Sequence, residues 1–193
     1  MKVESKRILC LSKNLSFYVS LLLLVLVSNT SYAQEYTTTE GNANFKAKMP
    51  LNSYMGKSDR LHGSINFETG EVAFKVPVKP IKTDKDKRDE HMYELLEAEK
   101  NPNVVFDGKL IDDFYFDKKT VQTVRVQGDF TLAGTTRQIT VPIDLKLVSE
   151  GEIQLYASWS LLITDYGLEP PSIVFVKVND KHDLSVDAVL QAK

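Results

Sequence analysis

Over most of its length the chain alternates apolar and polar side chains with a period of two. Phe45, Ala47 and Met49 alternate with Lys46 and Lys48, and Leu61, Gly63, Ile65 and Phe67 with His62, Ser64 and Asn66. Val72, Phe74, Val76 and Val78 continue the pattern, followed by Val104 to Leu110. Val124 to Leu132, Ile139 to Leu147, Ile153 to Ile163 and Leu184 to Leu190 complete it. A period of two puts every apolar side chain of a strand on one face, so these runs predict strands with one buried side. They make eight, with a short Tyr36–Thr39 segment joining or preceding the first. Thr69-Gly70, Ala133-Gly134 and Glu150-Gly151 read as turns between them. Strands joined by such short turns must be antiparallel, because a parallel pair needs a long crossover. A closed barrel and a two-sheet sandwich both satisfy this pattern. Eight strands can close a barrel whose interior is packed or holds one small ligand.

One stretch departs from the pattern. Lys82 to Lys100 is charged at first and then helical in spacing, with Met92, Leu95 and Leu96 on one face. Asp86 or Asp89 is expected to cap its start, and Asn101-Pro102 to stop it. A short amphipathic helix between barrel strands is expected to cover an open end.

The N-terminus carries a different signal. Lys2, Lys6, Arg7 and Lys13 precede an apolar run from Leu15 to Val27, and Ser31-Tyr32-Ala33 follows. This order predicts a secretory signal peptide over residues 1–33 with cleavage after Ala33. A spanning helix needs about 20 apolar residues, and Ser16, Ser20 and Ser28 interrupt this run. The domain proper is then 34–193, with no transmembrane anchor after processing. Export to the periplasm, or beyond it to the cell exterior, is expected. The one cysteine, Cys10, lies ahead of the apolar core, so the processed chain is expected to have no lipid-anchor cysteine, disulfide or thiolate metal site. The signal removes four basic residues and one acidic residue from totals of 24 and 26, leaving 20 against 25 and a net charge of −5. That balance argues against nucleic acid as a partner.

Candidate chemistry is sparse. His91 stands beside Asp89 and Glu90, but helix neighbours one or two apart do not face each other, and no G-x-S-x-G elbow is present. His62, His91 and His182 lack metal-ligand spacing. Asp112-Asp113 and Asp84–Asp89 lack calcium-loop spacing and read as solvated loops. No cofactor, no metal and no catalytic group is expected. Phe45, Met49, Phe67, Phe74, Met92, Phe106, Phe130 and Trp159 fall on the inward register. They either fill a core or line a cavity.

Several of these segments resemble the YceI-like family of exported lipid-binding proteins. Arg88-Asp89-Glu90-His91-Met92, then Asn101-Pro102-Asn103-Val104-Val105-Phe106, is similar to the family's Arg-Asp-x-His-Leu/Met helix and following strand. Leu61 to Phe67 is similar to its early Gly-x-Ile/Phe strand, and Val126 to Thr136 to its V-x-G-x-L-T-x-x-G-x-T hairpin. Asp165-Tyr166-Gly167-Leu168 is similar to its Asp-Phe/Tyr-Gly-Ile loop. The similarity runs from about Asn42 to Leu190. It implies a lipocalin-like, eight-stranded antiparallel barrel with an apolar cavity for a polyisoprenoid or other long-chain lipid, and a carrier rather than an enzyme. On that implication the cavity lining is Phe45, Met49, Phe67, Phe74, Met92, Leu95, Leu96, Phe106, Phe130 and Trp159. Two features depart from the family pattern. Ile163 stands where many members have Arg, and Asn42 to Met55 lacks their His-Ser and His-Met pairs.

The reading is an exported barrel that binds an apolar chain, with a filled structural or protein-interaction barrel as the alternative and a hydrolase as a weaker one. The oligomeric state is left open, a dimer included. Intact mass of the protein from its native host should place the mature N-terminus at Gln34; a species retaining residues 1–33 would contradict the processing.

Overall fold

The computed structural model describes residues 35–173 and 176–193. The segment read as a signal peptide, with its cleavage point, lies outside the described residues. The strands are β1 (Glu35–Met49), β2 (Asn52–Asn66), β3 (Glu71–Pro77), β4 (Asn103–Leu110), β5 (Gln122–Leu132), β6 (Thr135–Ser149), β7 (Glu152–Leu162), β8 (Ser172–Ile173), β9 (Val176–Lys177) and β10 (Lys181–Ala192). One α-helix, α1 (Asp86–Leu95), interrupts them, and a 3-10 turn follows β7 at Ile163–Tyr166. Eight strands close into an antiparallel barrel in the order β1-β10-β7-β6-β5-β4-β3-β2. Closure decides between the barrel and the sandwich that the alternation left open. It leaves no barrel strand with an unpaired edge along its full length. β8 and β9 form a separate two-stranded ladder that the sequence pattern did not indicate.

The Tyr36–Thr39 segment belongs to β1, but out of phase with the run that starts at Phe45. The pairing of β1 with β2 shifts between Thr38 and Gly41 and again between Gly41 and Ala43. Through this bulge the buried set changes from Tyr36 and Thr38 to Gly41 and Ala47. β2 makes the matching change, from Gly56 and Ser58 to Leu61 and Ile65. An extra residue reverses the facing of everything after it. A single alternating template therefore reads β1 as two pieces. At Gly56 the strand passes under the Phe45 ring, where a Cβ would overlap the ring carbons.

The helix is shorter than Lys82 to Lys100, and its termini differ from the sequence expectation. Its N-cap is Lys85, which makes no side-chain cap bond, so neither Asp86 nor Asp89 caps it. The end comes before Asn101-Pro102, in a Schellman motif: Glu97 N–H donates to the Glu94 carbonyl and Ala98 N–H to the Tyr93 carbonyl. Glu97 takes the left-handed conformation there, with φ 48°.

The turn at Ala133-Gly134 joins Leu132 to Thr135 in a two-residue hairpin. Its φ values are 49° and 76°, positive at both central positions as a type I′ turn requires. A methyl group at Gly134 would also lie 3.0 Å from the Asn101 side-chain oxygen. Gly134→Ala should therefore cost about 1 kcal/mol or more. An unchanged urea midpoint would contradict this account of the turn.

Candidate ligand cavity at the helix end of the barrel

The up-and-down connectivity gives the barrel two unlike ends. Three turns lie at one end: β2–β3, β4–β5 and β6–β7. There the interior is solid. Tyr36, Ile65, Leu145, Ile153 and Leu190 are fully buried. The rings of Phe67, Phe114 and Phe116 pack on one another, and those of Phe67 and Phe116 on Tyr36, with centroids 5.0 to 6.1 Å apart. The Tyr36 hydroxyl donates to the Glu150 carbonyl at 2.6 Å.

The other end holds the β1–β2 tip, the β3–α1–β4 connection, the β5–β6 turn and the link from β7 to β10. Under α1 lies a cavity of about 210 Å³ walled by Phe45, Ile81, Met92, Leu95, Leu96, Phe130, Trp159, Leu161 and Leu184, among others. A smaller void of about 80 Å³ lies against Phe74, Phe106, Val126, Ile143 and Leu155. The two share Val76, Val104, Phe130, Trp159 and Val186 as walls. Together they reach at most about 290 Å³, at the lower edge of the roughly 300–1,000 Å³ range of ligand pockets. An apolar cavity of about 150 Å³ suffices for benzene. The barrel as it stands therefore has room for a short apolar segment, and a long chain would need α1 to move or part of the chain to remain outside.

Eight of the ten residues named from sequence border these spaces: Phe45, Met92, Leu95, Leu96, Phe130 and Trp159 the larger, Phe74 and Phe106 the smaller. Two do not. Phe67 faces inward but belongs to the aromatic plug at the opposite end. Met49 lies at the tip of the β1–β2 ribbon, beyond the last pairing of β1 with β10 at Ala47 and His182. Alternation reports which face a residue takes, not how far along the barrel axis it lies.

The rim is polar. Asn44, Arg88, His91, Ser172 and Ser185 border the larger cavity, and His91 is solvent-exposed there. The Arg88 guanidinium lies 4.3 Å from the Tyr54 ring centroid and donates to the Thr83 carbonyl at 3.2 Å. Asp89 bonds to Thr83 and Lys82. Its carboxylate is buried and accepts from Thr83 N–H at 2.8 Å and Thr83 Oγ1 at 2.6 Å, with Lys82 Nζ 3.4 Å away. Burial alone would raise the Asp89 pKa, but the bonds from Thr83 and Lys82 outweigh it and hold it below the ordinary value. The Tyr93 hydroxyl reaches the Lys79 and Ile81 carbonyls at 2.7 and 3.0 Å. These contacts tie α1 to the preceding segment and hold its apolar face over the cavity.

Two buried polar atoms of the wall, Trp159 Nε1 and His182 Nε2, have no hydrogen-bond partner among the described residues. His182, weighed from sequence only as a metal ligand, lies in phase with Leu184 and so on the inward face. Desolvation lowers the His182 pKa below the ordinary histidine value, against the opposing pull of Asp180 and Asp183. The imidazole is therefore neutral at neutral pH. Among the described residues, no three His, Cys, Asp or Glu side chains gather as a metal group.

The YceI-like domain profile matches residues 35–190, and the chain belongs to that family. Solved structures share the fold at low sequence identity. A polyisoprenoid binding domain from Saccharophagus degradans, implicated in plant cell wall breakdown, is 14% identical with a TM-score of 0.70, over 83% of this chain and 99% of that one. BcnA of Burkholderia cenocepacia is 10% identical with a TM-score of 0.64, over 78% and 95%. The Campylobacter jejuni YceI protein is 16% identical with a TM-score of 0.56, over 72% and 84%. No curated protein sequence matches the chain.

The anchoring role of Asp89 is testable. Asp89→Ala leaves the Thr83 donors unpaired and should cost about 1–3 kcal/mol at neutral pH by urea unfolding. A carboxylate whose folded pKa is depressed stabilises fully above its unfolded value, and the contribution fades as pH falls through the folded one. The gap between wild type and variant should therefore narrow in acid. A gap that is constant with pH would contradict the charge-dependent anchor.

Proposed function

We propose that this chain is an exported, non-catalytic carrier that holds an apolar chain in the helix end of its barrel. The observation that carries the reading is the division of the interior: one end is plugged by aromatic rings, while the other keeps an apolar cavity beneath α1. A barrel built only for stability gains nothing from such space, because a void forfeits packing. Family membership supports the reading, as does the shared fold of a domain described as polyisoprenoid-binding. Affinity would come from hydrocarbon burial, at about 0.8 kcal/mol for each CH₂ taken from water. The signal-like N-terminus supports a periplasmic or extracellular site of action.

Trp159 is the single tryptophan of the chain and borders both spaces, so its emission reports occupancy. Farnesol or a fatty amide titrated into delipidated protein should shift or quench that emission saturably. Trp159→Ala should cost less than the roughly 3–5 kcal/mol of a tryptophan removed from a filled core. No fluorescence response together with a full-sized stability loss would favour the filled interaction module.

A further inference from the structure

Resting on the carrier reading, we propose that the cavity selects an apolar ligand bearing an alcohol group, received inside the barrel by Trp159 and His182. His182 is 9% exposed. Its Nε2 and the Trp159 Nε1 are buried without a hydrogen-bond partner, and both side chains border the cavity under α1. The two rings flank the cavity from adjacent strands, His182 against Phe45 and Trp159 against Phe130, with ring centroids 6.0 and 5.8 Å apart. β10 pairs with β7 so that Leu184 faces Trp159 and His182 faces Leu161. His182 and Trp159 are thus diagonal neighbours on one inward face, about 7–8 Å apart at the backbone and within reach of long side chains.

The chemistry of the two atoms narrows the ligand. Indole nitrogen only donates, so the ligand must offer an acceptor. Neutral imidazole has one N–H and one bare nitrogen, and Nε2 can take either role. With Nε2 as the bare nitrogen a hydroxyl answers both, its oxygen accepting from Trp159 and its hydrogen going to His182. A ligand that only accepts would serve both only if Nε2 carried the proton, and an ether probe separates the two. The remaining wall is hydrocarbon, which fits the chain that carries the hydroxyl. Leaving a buried polar group unpaired is costly, so a plain hydrocarbon would occupy the space without relieving either atom.

The test uses the full chain, stripped of lipid, with 1-octanol, octyl methyl ether and n-octane as matched probes, read by calorimetry throughout and by Trp159 emission wherever Trp159 is retained. A wall without polar function would favour octane over octanol by tenfold or more, because an unpaired hydroxyl is costly to bury. The proposal expects octanol to bind at least as tightly as octane, with the ether, which can accept but not donate, weaker than the alcohol. Trp159→Phe, which keeps an aromatic ring, and His182→Phe should each reduce the octanol-to-octane preference by about tenfold, as the loss of one hydrogen bond to a buried group does. Octane clearly preferred by the wild-type chain would overturn the proposal while leaving the carrier reading intact. No binding of any probe would overturn both. The wild-type comparison does not depend on either variant folding.

Discussion

Everything in this molecule depends on closure of the β-ladder, the pairing of β1 with both β2 and β10. An open sheet could bring its faces together and squeeze out internal space. A closed ring of eight strands has a perimeter set by backbone hydrogen bonds, and its interior can be filled only by the side chains that point into it. At one end, tyrosine and phenylalanine rings supply enough volume. At the other, the inward set includes the small residues Ala43, Gly56 and Val76. Fixed perimeter and unequal side-chain volume together leave the space beneath α1.

The same constraint explains the bulge in β1 and β2. A barrel strand that spans 15 residues must keep its apolar face inward while the ring curves. The shift near Gly41 resets the phase so that Tyr36 enters the plug and Phe45 enters the cavity wall. Gly41 allows it because Leu61 and Ala188 occupy the place a side chain would need. The helix is fixed by a different means. Asp89 binds the two donors of Thr83, Tyr93 binds two carbonyls of the approaching segment, and the Schellman turn at Glu97 ends the helix in time for β4 to rejoin the ring.

Much of this was legible in the sequence. Strict alternation in β5, β6 and β7 located those strands and their turns, because each keeps one buried face and the one register irregularity, between Leu147 and Ser149, falls beside the β6–β7 turn. Closure was not legible, because no local pattern distinguishes a barrel from a sandwich; the resemblance to a known family supplied it. Phe67 and Met49 were misplaced because period two carries no information about position along the axis. Asp86 and Asp89 fit a cap by residue type alone, whereas the bonds of Asp89 run back to Thr83, a contact that depends on how the chain enters the helix. His182 was missed as a wall residue because histidine does not count as apolar in an alternation search, although its phase with Leu184 would have placed it.

The central claim is that an apolar molecule occupies the helix end of the barrel, and its most direct test is the composition of the protein as its own host makes it. Mass spectrometry of organic extracts from natively purified protein should recover an apolar species at a fixed molar ratio to the chain. That species should be lost from a variant in which Leu161→Trp fills the cavity. Extracts that contain only the bulk membrane lipids of the host, in equal amounts from wild type and filled variant, would contradict the account.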